Sequence, residues 1–216
     1  KELTKDMSKA EDKKLVEKLL AKQMKYPEFV QKLSDKALEE LAANVENHFK
    51  DETSGKWYAK ELGALRLLNL ITGYEDGTFR GSNPVTGKEY LAILVRAGQW
   101  DMEKSEDMNW FAPYQKTAQK IGLLNGISFE LGKEATREEI AVLSYNFIIS
   151  MLEKVSANEK FTDKEKIAEN YRKAVAYLTQ KGILKGYEDG SFAPEKLVGR
   201  DEVIAIIYRL LATLGK

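Results

Sequence analysis

Two arginines stand where a helix has least use for a cation. Arg137 and Arg200 lie in the first turn of apolar segments opened by Thr136-Arg137-Glu138-Glu139 and Gly199-Arg200-Asp201-Glu202. Free amides and the macrodipole at a helix N-terminus favour anions, so propensity does not explain these residues. A guanidinium fork that takes a carboxylate through two parallel hydrogen bonds does, and an ammonium does not reproduce that geometry. The plainer alternative is a solvated arginine or an ion pair with a neighbouring glutamate. A third opening of the same kind, Thr86-Gly87-Lys88-Glu89, has Gly87 in the arginine slot. Lys88 beside it leaves a helix about 100° away around the axis.

Other residues extend or limit this chemistry. Trp57 and Trp110 have indole faces that suit the C–H face of a sugar, or serve as packing anchors at helix starts. Asp76 and Asp189 each precede a glycine and read as turn residues that bond the nearby backbone. Tyr74, Tyr187, Phe79 and Phe192 read as pins between loop and core. His48 is the single histidine and cysteine is absent, which excludes multi-histidine metal centres, thiolate chemistry and disulfides. No carboxylate pair stands apart from the repeated pattern, so no catalytic residue, metal or cofactor is expected.

The elements that position these residues repeat. Gly73-Tyr74-Glu75-Asp76-Gly77-Thr78-Phe79 returns as Gly186-Tyr187-Glu188-Asp189-Gly190-Ser191-Phe192. In both cases the same offset leads on to the glutamate of the helix opening, Glu89 and Glu202. A weaker middle copy follows Gly126, with a loop shortened on the way to Glu139 and without the Glu-Asp-Gly turn. Trp57, Trp110 and Asn170 occupy one slot ahead of Gly73, Gly126 and Gly186. Each copy then reads as a helix, a turn in which Gly73, Gly126 or Gly186 suits the left-handed end of that helix, and a loop. A second helix follows that is apolar on nearly every side and therefore buried. Thr86…Glu89 and Thr136…Glu139 have the form of capping boxes, whereas Gly199 replaces the threonine in the last copy.

Thirty-four basic and thirty-four acidic residues leave no net charge, which argues against a nucleic-acid partner. No apolar run approaches the roughly 20 residues that span a bilayer. The chain opens Lys1-Glu2-Leu3, with neither a methionine nor a signal-like apolar stretch, as a mature or trimmed form would. Residues 1–47 precede the copies and carry amphipathic stripes (Leu15, Val16, Leu19, Leu20; then Phe29, Val30, Leu33). Breaks fall at Pro27 and Ser34-Asp35, and Ser8-Lys9-Ala10-Glu11 has the look of a helix cap.

Taken together, the aromatic-Ala start, the Gly-Tyr-x-Asp-Gly-(Thr/Ser)-Phe loop and the Thr-Arg-x-Glu helix opening resemble the S-layer homology domain. The resemblance covers roughly residues 48–214. It implies an all-α protein of three tandem helix-loop-helix copies in a pseudo-threefold assembly, at 48–103, 104–155 and 156–216, after an N-terminal helical segment at 1–47. It further implies a secreted module, associated with the cell wall or S-layer. That module would bind a secondary cell wall polysaccharide or peptidoglycan-linked glycan, often pyruvylated, in grooves between copies. The arginine of the helix opening would be the main anion-binding residue. The ligand-binding residues carried over are Arg137, Arg200, Thr136, Trp57, Trp110 and Lys88, with the groove that relies on Gly87 weakened. The alternative is a protein–protein or self-association module whose glycan sites have decayed.

Overall fold

The computed structural model describes residues 7–151 and 161–215. The expected boundary between the second and third copies, at 155/156, lies outside these residues, as do the first six. The described residues are all-α, with no β-strand: α1 (Ala10–Leu20), α2 (Tyr26–Lys32), α3 (Asp35–Ala43), α4 (Ala59–Leu67), α5 (Gly87–Ala97), α6 (Ala112–Lys120), α7 (Arg137–Met151), α8 (Glu169–Gln180) and α9 (Arg200–Leu214). None is long and apolar enough to cross a membrane.

The chain forms two compact units that cut across the copies. One comprises residues up to 83 together with those from 200 onward; the other comprises 84–199. In the first, α9 packs on α2 and α4, and α4 packs on α3. The N-terminal segment is thus part of a core, not an extension. Ser34 caps α3 by accepting from Ala37 N–H at 3.1 Å, and its hydroxyl donates to the buried Asp12 carboxylate at 2.8 Å. Ser8 does not cap α1. It bonds Glu40 of α3 through both its amide and its hydroxyl, so it joins helices where a local cap was expected.

In the second unit α5 packs on α6 and α7, and α7 on α8. Tyr90 of α5 and Ser144 of α7 share a buried hydrogen bond of 2.6 Å. Three extended turns that precede the helix openings meet here in a closed ring. Val85 N–H donates to Val198 C=O (3.0 Å), Val198 N–H to Ala135 C=O (3.1 Å), and Ala135 N–H to Val85 C=O (2.8 Å). All three residues are buried, so each turn satisfies one donor and one acceptor without water.

The helices α4, α6 and α8 end alike. Leu70, Leu123 and Ile183 amides reach back to Leu65, Ala118 and Leu178 carbonyls, the signature of a Schellman motif. Its left-handed residue is Asn69, Gly122 or Gly182, with φ of 55°, 81° and 70°. Gly73 and Gly186, expected to serve this role, sit past the motif and are not left-handed. They are glycine for space: a Cβ on Gly73 would lie 2.7 Å from both the Phe49 ring and the Thr78 carbonyl, and one on Gly186 2.6 Å from Phe161.

Gly73→Ala is therefore expected to cost about 1–3 kcal/mol through overpacking. Gly55→Ala, where the nearest atom lies 3.8 Å away, should stay within about 0.5 kcal/mol of the parent. Denaturant unfolding measures both; coincident midpoints would contradict the packing assignment.

Candidate functional site

Each buried helix begins against a loop, and the register is the same in all three cases. The first two amides of α5 (Gly87, Lys88) donate to Lys133 and Leu131 carbonyls. Those of α7 (Arg137, Glu138) donate to Lys196 and Pro194, and those of α9 (Arg200, Asp201) to Asn83 and Gly81. The amides that make a helix N-terminus an anion site are already taken. Chemistry at these positions falls to the side chains.

Arg200 and Arg137 use theirs identically. Arg200 Nε donates to Phe79 C=O (2.9 Å) and Nη2 to Thr72 C=O (2.7 Å), and its guanidinium carbon lies 4.7 Å from the Phe79 ring centre and 5.1 Å from that of Tyr74. Arg137 Nε donates to Phe192 C=O (2.8 Å) and Nη2 to Lys185 C=O (2.7 Å), with the Phe192 and Tyr187 rings at 4.9 and 5.0 Å. Phe79 and Phe192 are buried pins, as expected, whereas Tyr74 and Tyr187 are partly exposed platforms beside the guanidinium.

The two arginines differ in depth. Arg137 is 5% exposed, whereas Arg200 is only half-buried. Among the described residues Arg200 forms no ion pair, which sets aside the glutamate-pair reading for it. A second cation, Arg80, stacks on Tyr74 at 4.3 Å and holds Asp76 at 2.6 Å.

Asp76 is a turn residue in fact. Its Oδ1 accepts from the Thr78 hydroxyl (2.6 Å) and amide (3.0 Å), and these bonds, with Arg80, lower its pKa to about 2. Asp189 repeats the pattern with Ser191.

Two further carboxylates were not recognised in the sequence. Asp51 accepts from Phe79 and Arg80 amides, both at 2.7 Å; Asp163 accepts from Phe192 and Ala193 amides, both at 2.8 Å. Burial pushes the Asp51 carboxyl up, but these amides hold it below its ordinary value on balance. The repeated Phe-x-Asp at 49–51 and 161–163 was the available signal.

The tryptophans separate the sites. Trp57 and Trp110 are each 58% exposed. Trp57 stands edge-on to Tyr58 (5.3 Å), which leans on Phe79 (6.1 Å), the residue whose carbonyl takes Arg200. Trp110 stands against Phe111 and Tyr114, and the Lys88 ammonium lies 5.6 Å from the Phe111 ring centre. Arg137 faces the copy whose tryptophan slot is Asn170. Arg200 with Trp57 is therefore the one set in which the guanidinium and the indole occur together.

The loop facing Gly87 is the short one, and a Cβ on Gly87 would lie 3.0–3.1 Å from Leu131. The missing guanidinium and the shortened loop fit each other. At Thr136 only half of a capping box forms: its amide donates to Glu139 (2.8 Å), while its buried hydroxyl has no hydrogen-bond partner among the described residues. The box at Thr86 and Glu89 is complete.

The comparisons with known proteins agree with this architecture. The family model of the S-layer homology domain matches residues 48–91 and 160–204. Two stretches of the chain are thus similar to the S-layer homology domain. It is 29% identical to an amylopullulanase of Thermoanaerobacterium thermosulfurigenes over 78% of its own length and 10% of that protein's. It is 27% identical to exoglucanase XynX of Acetivibrio thermocellus over 76% of this chain and 16% of that protein. A cellulosome-anchoring protein of the same organism is 29% identical over 66% of this chain and 35% of its own. The chain thus spans between a tenth and about a third of these relatives.

Two outcomes test the site's electrostatics. Arg137→Ala strands the buried Phe192 carbonyl and removes the donor to that of Lys185, and is expected to cost about 3 kcal/mol, more than Arg200→Ala, by thermal unfolding. Equal costs would contradict the difference in depth.

Glu52, 3% exposed, has its carboxyl pushed up by burial, against the Tyr58 hydroxyl 2.8 and 2.9 Å from its two oxygens. A raised folded-state pKa means stability is lost as pH climbs from the unfolded value, near 4.3, through the folded one. Glu52→Gln should therefore raise Tm at pH 7 and lose that advantage below about pH 4. A pH-independent difference would contradict it.

Proposed function

We propose that this chain is a non-catalytic anchoring module that holds an exported protein on the cell wall by binding an anionic secondary cell wall polysaccharide. The observation that carries the reading is the Arg200–Tyr74–Trp57 set. A half-exposed guanidinium keeps N–H groups available beyond its two carbonyl bonds, and an exposed indole stands on the same aromatic stack. The guanidinium suits an acid group such as a pyruvate ketal, and the indole suits a sugar face. The cellulosome-anchoring relative supports the assignment by its name. The activities named for the amylopullulanase and the exoglucanase belong to proteins of which this chain matches a small share.

Residues 104–155 form the middle one of three copies in this reading, and the three sites are unequal. Arg137 serves mainly to hold the loop at 186–192, and Thr136 to open α7. Lys88 with Trp110 offers a weaker cation beside a stacking face. A second reading, a self-associating scaffold, is favoured by Gly87 and its shortened loop. It requires oligomers on gel filtration and no retention on wall material.

Arg200→Lys and Trp57→Ala are each expected to weaken co-sedimentation with purified sacculi about tenfold, with Arg137→Lys and Lys88→Ala causing smaller losses. Retention should also fall with added salt. If a folded Arg200→Lys variant sediments like the parent, the clamp assignment is wrong.

A further inference from the structure

We propose that the fold leaves Asn125-Gly126 open to spontaneous deamidation, and closes Asp76-Gly77 and Asp189-Gly190 to the same ring chemistry. Asn125-Gly126 is the single Asn-Gly pair in the sequence, and glycine lacks the side chain that hinders attack by its own amide. Both residues are exposed. They are the central pair of a turn in which Ile127 N–H donates to Leu124 C=O at 3.3 Å. Gly126 has the positive φ (70°) that the third position of a type II turn requires.

This turn aims the reacting groups outward. The Asn125 C=O accepts from Asn146 Nδ2 at 2.8 Å, and the same amide group donates to Leu123 C=O at 2.9 Å. In a trans peptide the N–H points opposite to the C=O, so the Gly126 amide is directed away from Asn146. That amide and the Asn125 carboxamide have no hydrogen-bond partner among the described residues. A Cβ on Gly126 would meet no atom within 4 Å, so the nucleophile has open surroundings.

The two Asp-Gly pairs could form the same five-membered ring, yet each is doubly guarded. The Gly77 and Gly190 amides donate to Tyr74 and Tyr187 carbonyls at 2.9 and 3.0 Å. Thr78 and Ser191 bond the two carboxylates and hold both below their ordinary pKa. They stay ionised at neutral pH, and an ionised carboxylate resists attack. Asn125 has neither guard.

In the reaction Gly126 N loses its proton to hydroxide and bonds to Asn125 Cγ. The Cγ–Nδ2 bond breaks, and ammonia leaves carrying, by way of solvent, the proton that the amide lost. Water then opens the succinimide at either carbonyl, with no oxidation or reduction. Cleavage between Cγ and the Gly126 nitrogen gives aspartate. Cleavage at the main-chain carbonyl gives isoaspartate, whose backbone runs through Cγ. Either product places a new negative charge on the turn. The second also lengthens the chain between the Asn146 bonds and the 3.0 Å hydrogen bond that joins Ser128 to Tyr171 of α8.

The test is peptide mapping by mass spectrometry of the folded protein held at mildly alkaline pH, beside the same chain unfolded in guanidinium. In the folded protein the peptide containing Asn125 should gain the mass of an amide-to-acid exchange and split into two chromatographic peaks. Its rate should lie within about tenfold of that in the unfolded chain, because no local opening must come first. Isoaspartate at Asp76 and Asp189 should form only in the unfolded chain. Asp76→Asn, which puts an Asn-Gly pair into the guarded loop, should convert at least about tenfold more slowly there than Asn125 does in the same folded molecule. An Asn125 peptide that keeps its mass in the folded protein while converting in the unfolded chain would overturn the proposal. Equal rates at Asn125 and at position 76 of the folded Asp76→Asn variant would overturn it too.

Discussion

The first turn of a buried helix has amides with no partner inside the helix, and this chain gives two of them at each of α5, α7 and α9 to the carbonyls of a loop. That lock fixes the distance between helix start and loop, so a side chain at the first helical position must reach the loop. In two cases it is an arginine whose fork bridges carbonyls on both sides of the turn. In the third it is Gly87, and the loop has closed in through Leu131. Since the amides are spent on the fold, any affinity for an anion resides in guanidinium and aromatic groups.

This constraint also explains why similar copies are unequal. The arginine at a helix start meets a loop distant in sequence, so each pairing depends on two separate segments. Arg200 meets a loop whose own copy supplies Trp57; Arg137 meets one whose slot holds Asn170; Trp110 belongs to a loop faced by Gly87. Buried Arg137 survives as a structural pin, because removing it would leave two carbonyls without donors.

Much of the fold was legible in sequence. The repeated loop, the apolar helices and the capping pattern gave helix-loop-helix units, and Asp76 and Asp189 form the turns their Asp-Gly spacing implies. Which arginine meets which loop was not legible, because it depends on hydrogen bonds between residues 48 to 128 positions apart. Gly73 read as a helix end because sequence gives the residue type and not its neighbours; the Phe49 ring that requires it comes from upstream. Ser8 read as a cap for the same reason, with its partner Glu40 a helix away. Asp51 and Asp163 were visible as a repeated Phe-x-Asp, but their task appears only when the loop folds back onto them.

The central claim is that wall retention is carried by an acidic polysaccharide meeting Arg200 and Trp57. Sedimentation of the chain with sacculi before and after the accessory polysaccharide is stripped from the peptidoglycan tests it most directly. Retention on intact sacculi that disappears after stripping is the predicted result. Equal retention on the stripped material would contradict it and place the ligand in the peptidoglycan itself.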